Sequence, residues 1–391
     1  MSIPNHMRGG TIQNGNREAE NFAIEQASGD WIALLDADEY MLPEDMRKLP
    51  SIIKKAHKAK LDILFTLWLQ VGDTQMVDMA ARQCRIFRNT SRIRYQEPVH
   101  EQLTYNGGTI DGHTADATSG GISLSVYHTG YTSEASDQKS KRNIRILLKE
   151  QAKRPEDPDV MGYLGDAYKG LDDKEEKKQA AVWYKKALPY IFRSGRQSDR
   201  DVYTVVMTLL ILYKQGFEKE EEMLDLYEKA SACFTGVYDL DYLMGRFYVW
   251  KRDFQRGEVY LERAMSMMEK YGTSTFNPLM TGDISETWKA LGVCYYENGK
   301  IEKCVSCCVG ILKLYKERTD VLSLLLFCFK NENPQAVVGF LQKLYDINDI
   351  SDRIIMLRGA VCTGEDAAGV LNVLRQYCTP EELAVLDKGN G

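Results

Sequence analysis

The sequence predicts two architectures in series, an α/β region followed by an all-α region. Three observations predict it. Short runs of strand-forming residues interleave with helical patterns as far as Lys153. After Pro155-Glu-Asp-Pro158 the strand signals stop, and helical pairs run to the end. Those pairs share a recurring spacing of small and apolar residues, the mark of a stacked array.

Each element has its own signal. Residues 1–15 are rich in Gly and Asn and read as irregular. Over 16–27 a helix is expected, with Ala19, Phe22, Ala23 and Ala27 on one face and Ser28-Gly29 ending it. Trp31 to Leu35 is an apolar run bounded by charge, short enough for a buried strand. Leu42-Pro43-Glu44-Asp45 opens a helix to Ala59, with proline in the first turn. Leu61–Val71, Cys84–Arg88, Ile93–Tyr95 and Ile122–His128 read as strands, and Ser136–Lys153 as a long basic helix. The expected boundaries are 1–15, 16–153 and 154–391.

In the rear part, Trp288-x-x-Leu291-Gly292-x-x-Tyr295 resembles the tetratricopeptide helix pattern, with Cys304, Cys308 and Ile311 at its packing positions. The same frame fits Met161, Leu164, Gly165 and Tyr168 with Ala180, Tyr184 and Ala187. It fits again at Met244, Gly245 and Tyr248 with Gly257, Leu261 and Ala264. Val206, Leu209 and Tyr213 give a weaker copy, and Leu322, Leu325 and Phe329 a degraded one. Each helix pair has an apolar stripe it cannot bury alone, so neighbours must stack. Trp288 and Tyr295 are expected as filler between helices.

The net charge of −6 argues against nucleic acid or an anionic membrane as partner. No apolar run is long enough to span a bilayer, and the start lacks a basic stretch followed by an apolar core, so a cytoplasmic protein is expected. Nine irregularly spaced cysteines are not a disulfide framework, and all five histidines precede residue 130. Cys304, Cys307 and Cys308 are therefore expected in helix packing and not around zinc.

The chemistry gathers at Asp36 and Asp38. In extended chain, residues two apart point the same way. Two carboxylates side by side in an apolar setting repel each other, and a hard divalent ion, Mg²⁺ or Mn²⁺, relieves that. The competing reading is a solvated turn.

The stretch Asn21-Phe-Ala-Ile-Glu-Gln-Ala-x-Gly-Asp-Trp-Ile-Ala-Leu-Leu-Asp-Ala-Asp-Glu39 resembles the central block of family 2 glycosyltransferases of the GT-A fold. Arg85-Ile-Phe-Arg88, Pro98-Val-His-Glu101 and Val126-Tyr-His-Thr-Gly-Tyr131, with Lys141-Arg-Asn143 beyond, match the subgroup that carries a tetratricopeptide array. The layout is similar to that of sublancin-type peptide S-glycosyltransferases. The resemblance implies a partial GT-A (Rossmann-like) domain followed by the helical array, and a metal-dependent, inverting transfer from a nucleotide-sugar, usually a UDP-sugar. It implies Asp36 and Asp38 on the metal, with His128 either a further ligand or a hydrogen-bonded core histidine. Glu101 is implied as the general base, or else as an arginine's partner, with His100 beside it. Arg85, Arg88, Lys141 and Arg142 are implied as diphosphate contacts. The acceptor expected is a peptide or protein presented by the array.

Two departures qualify the match. One or more front βα units of the family, each about 30 residues, are expected to be absent, which would leave an open sheet edge. Glu20 stands where the family usually has arginine before the asparagine matched by Asn21. The competing function is a non-catalytic tetratricopeptide scaffold carrying an inactive remnant. A metal phosphohydrolase ranks last, because the dense His/Asp clusters it needs are missing.

Overall fold

The computed structural model describes residues 16–71, 77–96, 102–108, 114–116, 124–129, 133–272, 277–282 and 284–379. The chain divides into two compact units between Tyr190 and Ile191, later than the change in composition near residue 153.

The first unit opens with α1 (Asn16–Gln26), β1 (Trp31–Ala33), β2 (Glu39–Tyr40) and α2 (Pro43–Lys58). The strands β3 (Ile63–Val71), β4 (Val77–Arg88), β5 (Ile93–Gln96), β6 (Gln102–Tyr105), β7 (Thr114–Asp116) and β8 (Ser125–His128) follow. Then come α3 (Ser133–Lys153), α4 (Pro158–Lys169), α5 (Lys174–Lys177) and α6 (Gln179–Ser194), which runs across the division. The main sheet has the order β1-β4-β3-β8-β2, with β7 also on β3, and β5 and β6 form a separate hairpin. The sheet is mixed: β3 pairs in parallel with β7 and β8 and antiparallel with β4. Only residues 72–76 separate β3 from β4, too few for a parallel crossover, so the chain must return antiparallel. Strand β1 takes the edge beside β4.

Alternation sorts the core onto two faces. Ile32, Ile63 and Phe87 pack with Ile24 of α1 and Ile93 and Tyr95 of β5. On the other face Leu64, Ile86 and Leu124 meet Ile52 and Ala56 of α2. The side chain of Asn21 fixes α1 by mimicking a peptide group. It donates to the Tyr95 carbonyl (2.9 Å) and accepts from the Tyr95 N–H (2.9 Å). Asp45 ties α2 to the sheet by accepting from the Ser125 N–H (3.1 Å).

Strand β1 stops at Ala33, short of the expected Leu35. Leu34 N–H still donates to the Arg85 carbonyl (2.9 Å), but the chain then turns, with Glu39 N–H donating to the Asp36 carbonyl (3.0 Å). Asp36 and Asp38 therefore sit in a turn between two strands, and the extended-chain premise for their shared direction does not hold.

The second unit is helical throughout its described residues: α7 (Asp199–Gln215), α8 (Glu220–Cys233), α9 (Tyr238–Trp250), α10 (Phe254–Tyr271), α11 (Pro278–Gly282), α12 (Ile284–Glu297), α13 (Ile301–Leu314), α14 (Thr319–Cys328), α15 (Pro334–Leu341), α16 (Ile350–Thr363) and α17 (Ala368–Arg375). The repeat positions are buried: Leu209, Met244, Tyr248, Leu261, Ala264, Leu291, Cys304, Cys308, Leu322 and Leu325. Two glycines show why the frame asks for small residues. A Cβ at Gly165 would lie 2.3 Å from the Tyr184 ring of the paired helix in the first unit, and one at Gly245 would lie 2.6 Å from Leu261 Cγ. Trp288 packs as filler against the α12–α17 core. Cys294, Cys304 and Cys308 lie in that same core, and among the described residues no cluster of His, Cys, Asp or Glu has metal-holding geometry. No helix among the described residues is long and apolar enough to cross a membrane.

Candidate functional site

The turn after β1 is built on Glu39. This residue begins β2, opposite His128 of β8 in the ladder, and its side chain is fully buried. A buried carboxylate needs partners, and this one has three. Trp68 Nε1–H donates to Oε1 (2.8 Å), Asp36 N–H donates to Oε2 (3.1 Å), and Arg85 forms an ion pair with Oε1. Arg85 Nη2 also donates to Asp36 Oδ2 (3.0 Å). Burial works against the Arg85 charge, but Glu39 and Asp36 outweigh it and hold the guanidinium above its ordinary pKa. The arginine is thus a fixed cation beneath the turn.

The second acid faces β8. Asp38 Oδ2 lies 3.3 Å from His128 Nε2, and the His128 ring stands 5.1 Å from Trp68. The Asp38 carbonyl accepts from Thr129 N–H (3.1 Å) and from its hydroxyl (3.2 Å), which pins the turn to the end of β8. The Asp36 and Asp38 side chains are 48% and 45% exposed, whereas Arg85 and His128 are at 12% and 10%. Two solvent-facing carboxylates therefore rest on a buried frame. Asp38 and His128 bring one oxygen and one nitrogen donor together, short of a three-residue cluster, so a divalent ion there would need phosphate oxygens and water to complete its shell.

The remaining expected residues lie elsewhere. Arg88 is three residues from Arg85 on β4, and it packs against α2 instead. There its Nε is 3.1 Å from Asp62, its Nη2 2.5 Å from His57 Nδ1, and its guanidinium sits 5.7 Å over the Trp31 ring. Arg142 is exposed on α3, bonded to its neighbour Asn143 (3.4 Å), and Lys141 pairs with Asp137 (2.8 Å). Neither reaches the acidic turn. His100 and Glu101 lie outside the described residues. Sequence reasoning missed Glu39 and Trp68. The signal was present: a third acid three residues after Asp36 can close a turn, and an indole N–H inside an apolar strand needs an acceptor.

Residues 11–106 match the family model described as Glycosyl transferase family 2. This part of the chain is similar to a family 2 glycosyltransferase domain. Two relatives carry the name glycosyltransferase and a third is named for its repeats. The SPbeta prophage-derived glycosyltransferase SunS of Bacillus subtilis and the glycosyltransferase SunS of Bacillus phage SPbeta are each 24% identical over 227 residues, 57% of this chain and 50% of theirs. A TPR repeat-containing protein of Synechococcus elongatus is 26% identical over 215 residues, 54% of this chain and 50% of its own. The chain spans about half the length of the curated relatives it matches. Among solved structures, YrrB, a TPR protein with an unusual peptide-binding site, aligns over 62% of this chain and 97% of its own, at 14% identity and a TM-score of 0.26. The acidic turn and its Glu39–Arg85–Trp68 frame lie within the matched region.

Proposed function

We propose that the chain transfers a sugar from a nucleotide-sugar, a UDP-sugar by preference, to a peptide or protein acceptor, in one inverting displacement. The observation that carries this reading is the pair of exposed carboxylates in one turn, Asp36 against the largely buried Arg85 and Asp38 against His128. Asp38 and His128 would hold Mg²⁺ or Mn²⁺, with Asp36 beside them, and the bound ion would neutralise charge on the departing diphosphate. Arg85 keeps Asp36 in one orientation and lends positive potential to the phosphate side of the turn. Glu101 takes the proton from the acceptor hydroxyl or thiol as that atom bonds to the anomeric carbon. The carbon–oxygen bond to the diphosphate breaks in the same step, leaving UDP. The helical array would present the acceptor.

Incubating the full chain with a panel of UDP-sugars and peptide acceptors, and reading released UDP and glycosylated product by mass spectrometry, tests this. The expected result is product from at least one donor, reduced about a hundredfold or more in Asp38→Asn and in Glu101→Gln. No UDP release from any donor would favour the non-catalytic scaffold.

A further inference from the structure

Four large apolar side chains stand exposed around the acidic turn: Leu35 at 37%, Tyr40 at 44%, Leu42 at 38% and Met46 at 48%. Local geometry gathers them. Glu39 N–H closes the turn on the Asp36 carbonyl, so Leu35 and Tyr40 flank its two ends. Leu42 lies two residues beyond Tyr40, within about 7 Å along the chain. Met46 N–H donates to the Leu42 carbonyl (3.1 Å), which sets those two residues one helical turn apart at the start of α2. Tyr40 adds a second ring, stacking on Tyr127 of β8 at 5.3 Å with 16° between the planes. Apolar side chains exposed singly need no explanation, but a concentration of them marks an interaction surface. The acids sit within this one. Leu35 adjoins Asp36, and Tyr40 is two residues from Asp38, so these apolar side chains start within about 7 Å of an acid's Cα.

We infer that this apolar collar seats an aromatic or long aliphatic side chain of the acceptor, beside the residue that receives the sugar. The inference rests on the transfer reading above, which supplies two reactants. The donor's sugar and diphosphate are polar and belong at the carboxylates, so they make no use of the collar. An acceptor whose reacting atom comes to the same turn carries its neighbouring side chains with it. Extended chain advances about 3.3 Å per residue, so a side chain one or two positions away lies within reach of Tyr40 and Leu42. An anionic membrane suits the surface poorly, because Asp36, Asp38 and Glu44 stand exposed in the same stretch and would face its charge.

The test is fluorescence anisotropy with the full chain, UDP and Mn²⁺, and a fluorescein-labelled peptide holding one serine between two phenylalanines on Gly-Ser flanks. This peptide should bind at least about tenfold more tightly than one with serines in place of the phenylalanines. Tyr40→Ser, Leu42→Ser and Met46→Gln should each weaken it about threefold to tenfold, and together should remove its advantage over the serine peptide. Circular dichroism and Mn²⁺-dependent UDP binding should stay as in the parent. The inference is overturned if the two peptides bind alike, or if the variants bind the phenylalanine peptide like the parent. It also falls if the variants weaken UDP binding instead, which would make the collar a nucleobase platform, or if they abolish binding of the parent to phosphatidylglycerol vesicles. A panel of UDP-sugars added to the same samples reads the transfer itself. Phenylalanine-selective binding with no product from any donor would overturn the transfer reading and leave the recognition standing.

Discussion

Two buried acids, one in each unit, end their networks differently: Glu39 beneath an exposed carboxylate, Asp239 at backbone amides. In the first unit, Glu39, Arg85 and Trp68 form a network directly beneath exposed Asp36, so its order is passed to a solvent-facing group. In the second unit Asp239 and Asp352 serve the backbone, while Asp201, Asp241 and Glu258 pair with Arg196, Arg263 and Lys300. Asp239 accepts from the N–H groups of Leu279 and Met280 (2.9 Å each), and Asp352 accepts from Asp346 N–H (2.7 Å). Burial of charge is therefore no guide to function by itself. What distinguishes the two cases is whether the network ends at a backbone amide or at a group open to a ligand.

Breaking the first kind of network should have the largest effect. Glu39→Ala leaves the Arg85 charge buried with Asp36 alone, and should lower the unfolding free energy by about 3 kcal/mol or more in urea titrations. By contrast, Glu175→Ala removes a partner of Lys178 on an exposed helix end, and should change stability by less than about 0.5 kcal/mol. If the two variants behave alike, Glu39 is not the keystone claimed for it.

Truncating the array core should come next. Leu261 is fully buried between α9, α10 and α12, and Leu261→Ala should cost about 2–4 kcal/mol. The same variant should leave donor binding per folded molecule unchanged, which would separate the two units functionally.

A subtler distinction lies in pH. Burial raises Asp239 from its ordinary 3.8 to about 6, against the pull of its two backbone hydrogen bonds. Because the folded form holds the proton more tightly, the second unit should gain stability as pH falls from about 6 towards 4, by at most about 3 kcal/mol, and lose it again as pH rises. Asp239→Asn should flatten that dependence in thermal melts. A parent protein with no gain in this window would contradict the assignment.

The smallest effect is chemical. Burial pushes the Cys294 thiol up to about 12; a hydrogen bond to Cys308 and then burial raise Cys304, and a hydrogen bond to Cys304, whose sulfur lies 3.3 Å away, and then burial raise Cys328. Thiolates are the reactive form, so a thiol reagent at pH 8 should label exposed Cys362 in the folded protein and reach these three only on unfolding.

Much of this was legible in the sequence, for physical reasons that differ by region. The helical array announces itself because every pair repeats one packing problem, and Gly165 and Gly245 can be nothing larger. The strands read well because alternation is imposed by burial on two faces, as at Ile63 and Leu64. The acidic turn did not, because a turn between two strands is set by Glu39 reaching back to Asp36, a contact with no periodicity. Arg85 and Arg88 look equivalent as letters, and only the folded chain separates the one that meets Asp36 from the one that braces α2. The mixed sheet depends on which strands find each other across long separations, which local pattern does not specify.

The central claim is that the exposed acids of the front turn grip a donor's diphosphate through a divalent ion. Isothermal calorimetry of the full chain with UDP in the presence and absence of Mn²⁺ addresses it most directly. The account predicts UDP binding that requires Mn²⁺, disappears in Asp38→Ala and weakens in Glu39→Gln. UDP binding of equal strength without the metal, or unchanged in Asp38→Ala, would contradict it.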